Sequence, residues 1–292
     1  MAMKLYTKNF AGMIPDLFIS KTHFLRSFGG NVQVKSEAEY DDKFLTLKTS
    51  DTDVTIQAYS TDANTAFGTG TANSNRFGER KEIKSVDTTV EWDTPLAIHE
   101  GIDKFTVNDI PAQVVAERLA LHGVAWAEYV DGYLGKAISD NASETLTGEL
   151  SEEGVTKLFA DARKKFVNNK VSRNIGWVAY VNTDVFNFLI DSKLATTAKN
   201  SSANVDTQTL YMFKGFILEE LQDNAFQTGE QAYFVADGIG VVGIGIEVAR
   251  TFESEQFNGV AIQGAGKYGK HIPEKNKKAI LKATLTEPVV GG

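Results

Sequence analysis

Residues 108–138 read NDIPAQVVAERLALHGVAWAEYVDGYLGKAI. Asn108 or Asp109 can cap a helix there, and Pro111 falls in its first turn, where a missing N–H costs nothing. Apolar residues recur at Val115, Leu119, Trp126, Val130, Tyr133 and Leu134, with Ala and Gly between them. The pattern runs to Ile138, so at 1.5 Å per residue the helix is about 45 Å long. That is more than twice an average globular helix. Gly123, Gly132 and Gly135 lower helix propensity, and in this setting they read as places of close packing or bending. The whole stretch predicts a spine lying under other elements.

Upstream, Val86, Thr88, Val90 and Trp92 alternate with Asp87, Thr89, Glu91 and Asp93, a strand signature. Residues 53–59 alternate in the same way, with Val54, Ile56 and Ala58 on one side and Thr55, Gln57 and Tyr59 on the other. Residues 60–78 between them are rich in Ser, Thr, Asn, Ala and Gly, and Phe67 and Phe77 are their only large apolar residues. Two strands with a long polar tip predict a projecting hairpin. A loop of this length in a compact domain has a job or is disordered. Residues 1–35 hold Gly12, Pro15 and Gly29-Gly30 without sustained periodicity, and read as an extended arm with one short helix.

Downstream, a second helix starts near Ser151, with Glu152 and Glu153 placed to favour its dipole. Its apolar stripe is Val155, Leu158, Phe159, Ala162 and Phe166. Residues 175–181 read as a buried strand, and Asn182 caps a short helix over Thr183 to Asp191. Residues 192–209 are polar and read as a surface loop. Leu210 to Leu221 reads as strand, turn at Gly215, and strand. Further strands follow over 231–249, 257–272 and 279–286. The class is α+β.

The chain has 292 residues, 42% of them apolar and 23% charged, which allows a sizeable core. It has no cysteine, which excludes disulfides, Cys-ligated metal sites and thiol nucleophiles. The longest apolar or Gly run, Gly238 to Ile246, is far short of the roughly 20 residues a spanning helix needs. No signal-peptide core opens the chain. These features predict a soluble protein kept in a reducing compartment, with no membrane partner.

The net charge is −8, unevenly spread. Lys4, Lys8, Lys21, Arg26 and Lys35 face only Asp16 within residues 1–35, and six lysines face Glu274 and Glu287 within 264–292. Basic ends on an acidic body argue against a molecule that coats DNA. Either flexible termini are simply lysine-rich, or they reach acidic surfaces on neighbouring copies.

Catalytic chemistry is hard to find. Gly238-Ile-Gly240-Val-Val-Gly243 and Gly264-Ala-Gly266-Lys-Tyr-Gly269 match the dinucleotide spacing. A working site needs those glycines at a strand-to-helix turn. The first match is embedded in β-branched residues, and Pro273 follows the second closely. Glycines for close strand packing or turns are the better account. Tyr268 after Gly266-Lys267 rules out a phosphate loop. His23, His99, His122 and His271 are scattered, the adjacent acids Asp41-Asp42, Glu152-Glu153 and Glu219-Glu220 do not face one another, and no nucleophile elbow occurs. No cofactor or metal is expected.

The order of these segments resembles the major capsid protein of tailed bacteriophages, the Hong Kong 97-like fold. Val86 to Trp92, with Pro95-Leu-Ala-Ile-His99 and Val107-Asn-Asp-Ile110, is similar to the entry to that family's spine helix. Trp177-Val-Ala-Tyr-Val-Asn182 with its short helix resembles a unit of the axial domain. Phe213-Lys-Gly-Phe-Ile217 is similar to its compact glycine turn. Val260 to Gly264 and Lys267 to His271 resemble its final strand pair. The resemblance spans nearly the whole chain; each motif is weak alone, and their order is the specific part.

The resemblance implies an N-terminal arm (1–35), a first part of the peripheral domain (36–49), an extended E loop (50–85) and a peripheral domain with the spine helix (86–145). An axial domain (146–246) and a return to the peripheral domain with a tail (247–292) complete it. It implies a shell of hexamers and pentamers of this chain, enclosing double-stranded DNA in a virion without sequence-specific binding. Expected partners are a separate scaffolding protein, a portal protein and, in some relatives, a decoration protein. Phe67, Arg76 and Phe77 are the expected E-loop contacts, and Lys4, Lys8, Lys21 and Arg26 those of the arm. Some relatives cross-link through Lys–Asn bonds; with no lysine from Ser60 to Gly78, none is expected here. The rival readings are an encapsulin-like compartment shell and a nucleotide-binding enzyme built on the glycine motifs.

Overall fold

The computed structural model describes residues 22–30, 33–34, 43–49, 54–63, 65–67, 75–106, 111–191, 203–204 and 209–287. It divides into two compact units, one of Lys43–Glu91 and one of the chain on either side of it. After a 3-10 turn at Phe24–Phe28 come β1 (Gln33–Val34), β2 (Lys43–Thr49), β3 (Val86–Glu91) and β4 (Leu96–Asp103). The spine helix α1 (Pro111–Asp140), β5 (Glu144–Glu149), α2 (Glu152–Asn168), β6 (Trp177–Asn182) and α3 (Thr183–Asp191) follow. Short strands β7 (Ala203–Asn204), β8 (Thr209–Leu210) and β9 (Met212–Phe213) precede β10 (Phe216–Leu221), β11 (Ala232–Ala236), β12 (Val241–Glu253) and β13 (Gly259–His271). The one-turn helix α4 (Glu274–Lys277) leads into β14 (Ile280–Thr286).

The larger unit holds a six-stranded sheet, in the order β5-β14-β11-β6-β10-β9, and a four-stranded sheet, β1-β12-β13-β4. All six residues of β6 are buried, as expected of a central strand covered on both faces. The stripe of α2 packs onto the sheet as its spacing demands. Phe159 lies edge-on to Phe234 at 5.0 Å and Phe213 at 5.2 Å, and Phe166 meets Trp177 at 5.2 Å. Ser151 caps α2 by accepting from the Gly154 N–H at 3.1 Å. Lys214 and Gly215, at φ 45° and 92°, make the tight β9–β10 turn. Two positive φ angles in a two-residue loop match the twist of the flanking strands.

Asn182 caps α3: its Oδ1 accepts from the Val185 N–H at 3.1 Å and its Nδ2 donates to Asp223 at 3.2 Å. Asn182→Ala is expected to cost about 1–2 kcal/mol, as loss of a cap does. Urea unfolding of the two proteins measures this; equal midpoints would remove the cap from the account.

The spine helix has 30 residues. Trp126, Val130, Leu134 and Ile138 are buried along it. Gly135 is a point of close approach, since a Cβ there would lie 2.9 Å from the Ala225 carbonyl and 3.0 Å from the Phe24 ring. Gly132 faces open space instead.

Two expectations need correction. The strand opposite β3 is β2, with Thr49 beside Val86 and Leu47 beside Thr88. Residues 54–60 form no strand, and Val54 and Ile56 are each 95% exposed. The run lies beside residues 76–81, but Ser60 N–H to the Arg76 carbonyl is the backbone bond between them and the Gln57 side chain takes the Glu79 backbone groups, so no ladder forms. The second concerns the arm: Phe24, Leu25 and Phe28 lie in the core of the larger unit. Residues 192–202 and 205–208 of the expected surface loop, and the helix cap at Asn108 or Asp109, lie outside the described residues.

Candidate functional site

The Lys43–Glu91 unit concentrates exposed apolar side chains. Val54, Ile56, Tyr59, Phe67, Phe77, Ile83 and Val86 are all more than half exposed, with Phe67 at 69% and Phe77 at 78%. Among the described residues, this unit therefore leaves seven large apolar side chains in solvent. Beyond the β2–β3 ladder, side chains brace it. The Gln57 amide donates to the Glu79 carbonyl at 2.8 Å and accepts from the Glu79 N–H at 3.1 Å, and Lys81 donates to Thr55 Oγ1 at 2.8 Å.

Arg76 organises the tip. Its Nε donates to the Thr65 carbonyl at 3.0 Å and its Nη2 to the Asp62 carbonyl at 3.3 Å. Its own carbonyl accepts from the Ser60 N–H at 2.9 Å. The guanidinium lies 5.2 Å from the Phe67 ring centroid, and Tyr59 meets Phe77 edge-on at 5.2 Å. The three residues expected as contacts therefore separate by role: Arg76 braces the tip while Phe67 and Phe77 are presented on it. Ile56, Tyr59 and Ile83 were missed as surface residues, the first two because residues 53–59 were read as a strand and Ile83 because it lies in no periodic run.

Of the expected arm contacts, Lys4, Lys8 and Lys21 lie outside the described residues. Arg26 is bound within its own chain. Its Nε donates to Asp237 Oδ1 at 3.0 Å and its Nη1 to Glu219 Oε1 at 3.4 Å. Hydrogen bonding to Asp237 raises the guanidinium above its ordinary range, while burial pushes the Glu219 carboxyl up. Beside it, the His23 and Phe24 N–H groups donate to Asp131 Oδ1 on α1 at 2.9 and 3.2 Å.

The glycine motifs lie on neighbouring antiparallel strands. Gly243 pairs with Gly269 and Ile246 with Gly266, so the second match runs inside a strand and neither opens a helix. Among the described residues no group of His, Asp or Glu could hold a metal ion, and no helix is long and apolar enough to cross a membrane.

One ionic cluster fastens α1 to β4. Arg118 Nε donates to Glu100 Oε2 at 2.8 Å, its Nη2 also meets that carboxylate, and His122 Nε2 lies 2.9 Å away on the same helix face. The Arg118 hydrogen bond holds Glu100 at about 2, against burial that opposes it, with His122 adding to the lowering. A carboxylate depressed on folding stabilises above its unfolded value, near 4.5, and loses that contribution as pH falls through its folded value. Glu100→Gln should therefore lower the melting temperature at pH 6 and narrow the gap to wild type between pH 4.5 and 2. A gap that does not change with pH would remove the carboxylate from the account.

No family model matches the chain, and no curated protein does. Solved structures match it over nearly its whole length. A structure from Mycobacterium phage Che8 is 17% identical with a TM-score of 0.63, covering 97% of this chain and 93% of its own. The mature capsid of bacteriophage PhiM1 is 13% identical with a TM-score of 0.63, covering 91% and 87%. The capsid of Ralstonia phage GP4 is 12% identical with a TM-score of 0.56, covering 100% and 95%. The fold is that of tailed-phage capsid proteins.

Proposed function

We propose that this chain is the major capsid protein of a tailed phage, a structural rather than catalytic component of the virion. Hexamers and pentamers of it would close an icosahedral shell around double-stranded DNA. Coverage of both chains end to end by the capsid likeness carries the reading, and the exposed apolar surface of the Lys43–Glu91 unit supports it. Subunits that tile a curved surface need heterologous contacts that close around symmetry axes. A separate compact unit adds such contact area while the core stays folded.

In this reading the Lys43–Glu91 unit docks on a neighbouring copy through Phe67 and Phe77, and Lys4, Lys8 and Lys21 reach acidic surfaces next door. A scaffolding protein sets the size, a portal occupies one vertex, and a decoration protein can bind outside. The acidic body suits packaged DNA, because a wall that binds phosphate weakly does not trap the entering duplex.

Negative-stain electron microscopy beside a sizing column tests the class. Closed shells, or rings of five and six, are expected at milligram-per-millilitre concentration and on addition of scaffold. A uniform monomer or dimer under both conditions overturns it. Particles recovered with genome-length DNA fit a virion; particles filled with protein cargo point to an encapsulin-like compartment.

A further inference from the structure

The six-stranded sheet has ends of opposite charge. β6 and β10 run parallel, with Ile217 beside Val178 and Leu221 beside Asn182. They therefore start at one end of the sheet and finish at the other, about 17 Å away at strand rise.

The starting end is basic. Arg163, Arg173, Ile175, Trp177, Gly215 and Ile217 line a cavity of about 230 Å³ there. Arg163 Nη1 donates to the Lys214 carbonyl at 3.3 Å, and the Arg173 guanidinium lies 5.9 Å from the Trp177 ring centroid. Both arginines are exposed, and neither forms an ion pair among the described residues. Burial first, and the Arg163 charge second, hold Lys214 below the ordinary lysine range, with Asp161 opposing. Asp237, packed beside Gly176, is already held by Arg26. Positive charge is thus crowded at this end. Ile175 and Tyr211 add exposed apolar surface, at 43% and 59%.

The finishing end is acidic. Glu220 near the end of β10, Asp184 in the first turn of α3 and Asp223 just past β10 are all exposed. Asp223 accepts from Asn182, and none of the three meets a lysine or arginine among the described residues.

We propose that these ends are the two halves of one contact, in which Asp184, Glu220 and Asp223 of one copy seat on the Arg163–Arg173 cavity of the next. The inference rests on the shell reading, and it assigns residues and a direction to one of that shell's contacts. A head-to-tail contact of this kind is heterologous, the type that closes into a ring when the rotation between copies divides a full turn. Guanidinium forks suit carboxylates, and charge complementarity fixes register and rejects the reversed docking.

Charge reversal tests it. Arg163→Glu with Arg173→Glu, and separately Asp184→Lys with Glu220→Lys and Asp223→Lys, should each raise the assembly threshold concentration about tenfold or more at low salt. The variant with all five changes should return to near the wild-type threshold, read by light scattering and electron microscopy. Circular dichroism melts confirm folding. If the acidic-to-lysine variant melts low, Asp184→Asn with Glu220→Gln replaces it, with a smaller rise expected. Reversals that assemble like wild type, or that fail without rescue in the fivefold variant, overturn the contact while leaving the shell intact. Wild-type protein that forms neither rings nor shells removes the shell reading, and this contact with it.

Discussion

A chain carrying Phe67→Ala and Phe77→Asp is expected to fold like wild type and to assemble poorly. Both rings already stand in solvent, at 69% and 78% exposure. Removing them forfeits only the Arg76 and Tyr59 ring contacts, each about 0.5–1.5 kcal/mol. Docked against a neighbour, each phenyl ring would bury enough area for about 1.5–3 kcal/mol. Every subunit repeats the loss, and 1.4 kcal/mol is tenfold in an equilibrium constant. The assembly threshold should therefore rise about 100-fold or more, while the melting temperature moves by only a few degrees. Sedimentation of the variant against wild type measures the first and calorimetry the second. Unimpaired particles would make Phe67 and Phe77 bystanders on a solvent loop.

Phe24→Ala is expected to have the largest effect on stability. The ring is fully buried, 4.7 Å from Tyr180 and 6.0 Å from Tyr233, and it lies against the α-carbon side of Gly135. Truncating a buried Phe costs about 3–5 kcal/mol, a large part of the 5–15 kcal/mol typical of a folded domain. An extended arm would lose nothing from the same change. Denaturant unfolding decides between them: a midpoint within error of wild type would return residues 24–28 to the arm. Ser27, whose Oγ lies 2.8 Å from Tyr180 Oη, and the Ile239 N–H, which donates to the Ser27 carbonyl at 2.8 Å, hold the turn in place.

These two sites show where sequence reasoning succeeds and where it stops. The spine helix and α2 were legible because a helix writes its own period, and Asn182 was legible because a cap is a local device. The arm's one short helix was expected, but its place was not, since Phe-Leu-Arg-Ser-Phe is too short to show a period, and Tyr180 and Tyr233, more than 150 residues downstream, hold it in the core. The hairpin partner was misplaced for a related reason. Residues 43–49 and 53–59 both alternate, and only backbone pairing distinguishes them. Phe67 and Phe77 stood out as the only large apolar residues in a polar stretch. Arg76 stood out by charge, yet its work is internal to the tip. Arg118 and His122 share a helix face by spacing, but Glu100 comes from another element, so the cluster could not be read along the chain.

The place of β14 bears on how the protein is made. It lies between β5 and β11, with Leu281 beside Glu144 and Phe234. Until the ribosome has translated past Thr286, the six-stranded sheet is two separate pieces, each with a bare inner edge. Pairing of that sequence separation is slow to form, and open strand edges invite other chains. Nascent copies on one messenger RNA are thus kept from finishing their sheet before synthesis has passed this strand. Chains stopped short of residue 280 should collect in inclusion bodies rather than join particles.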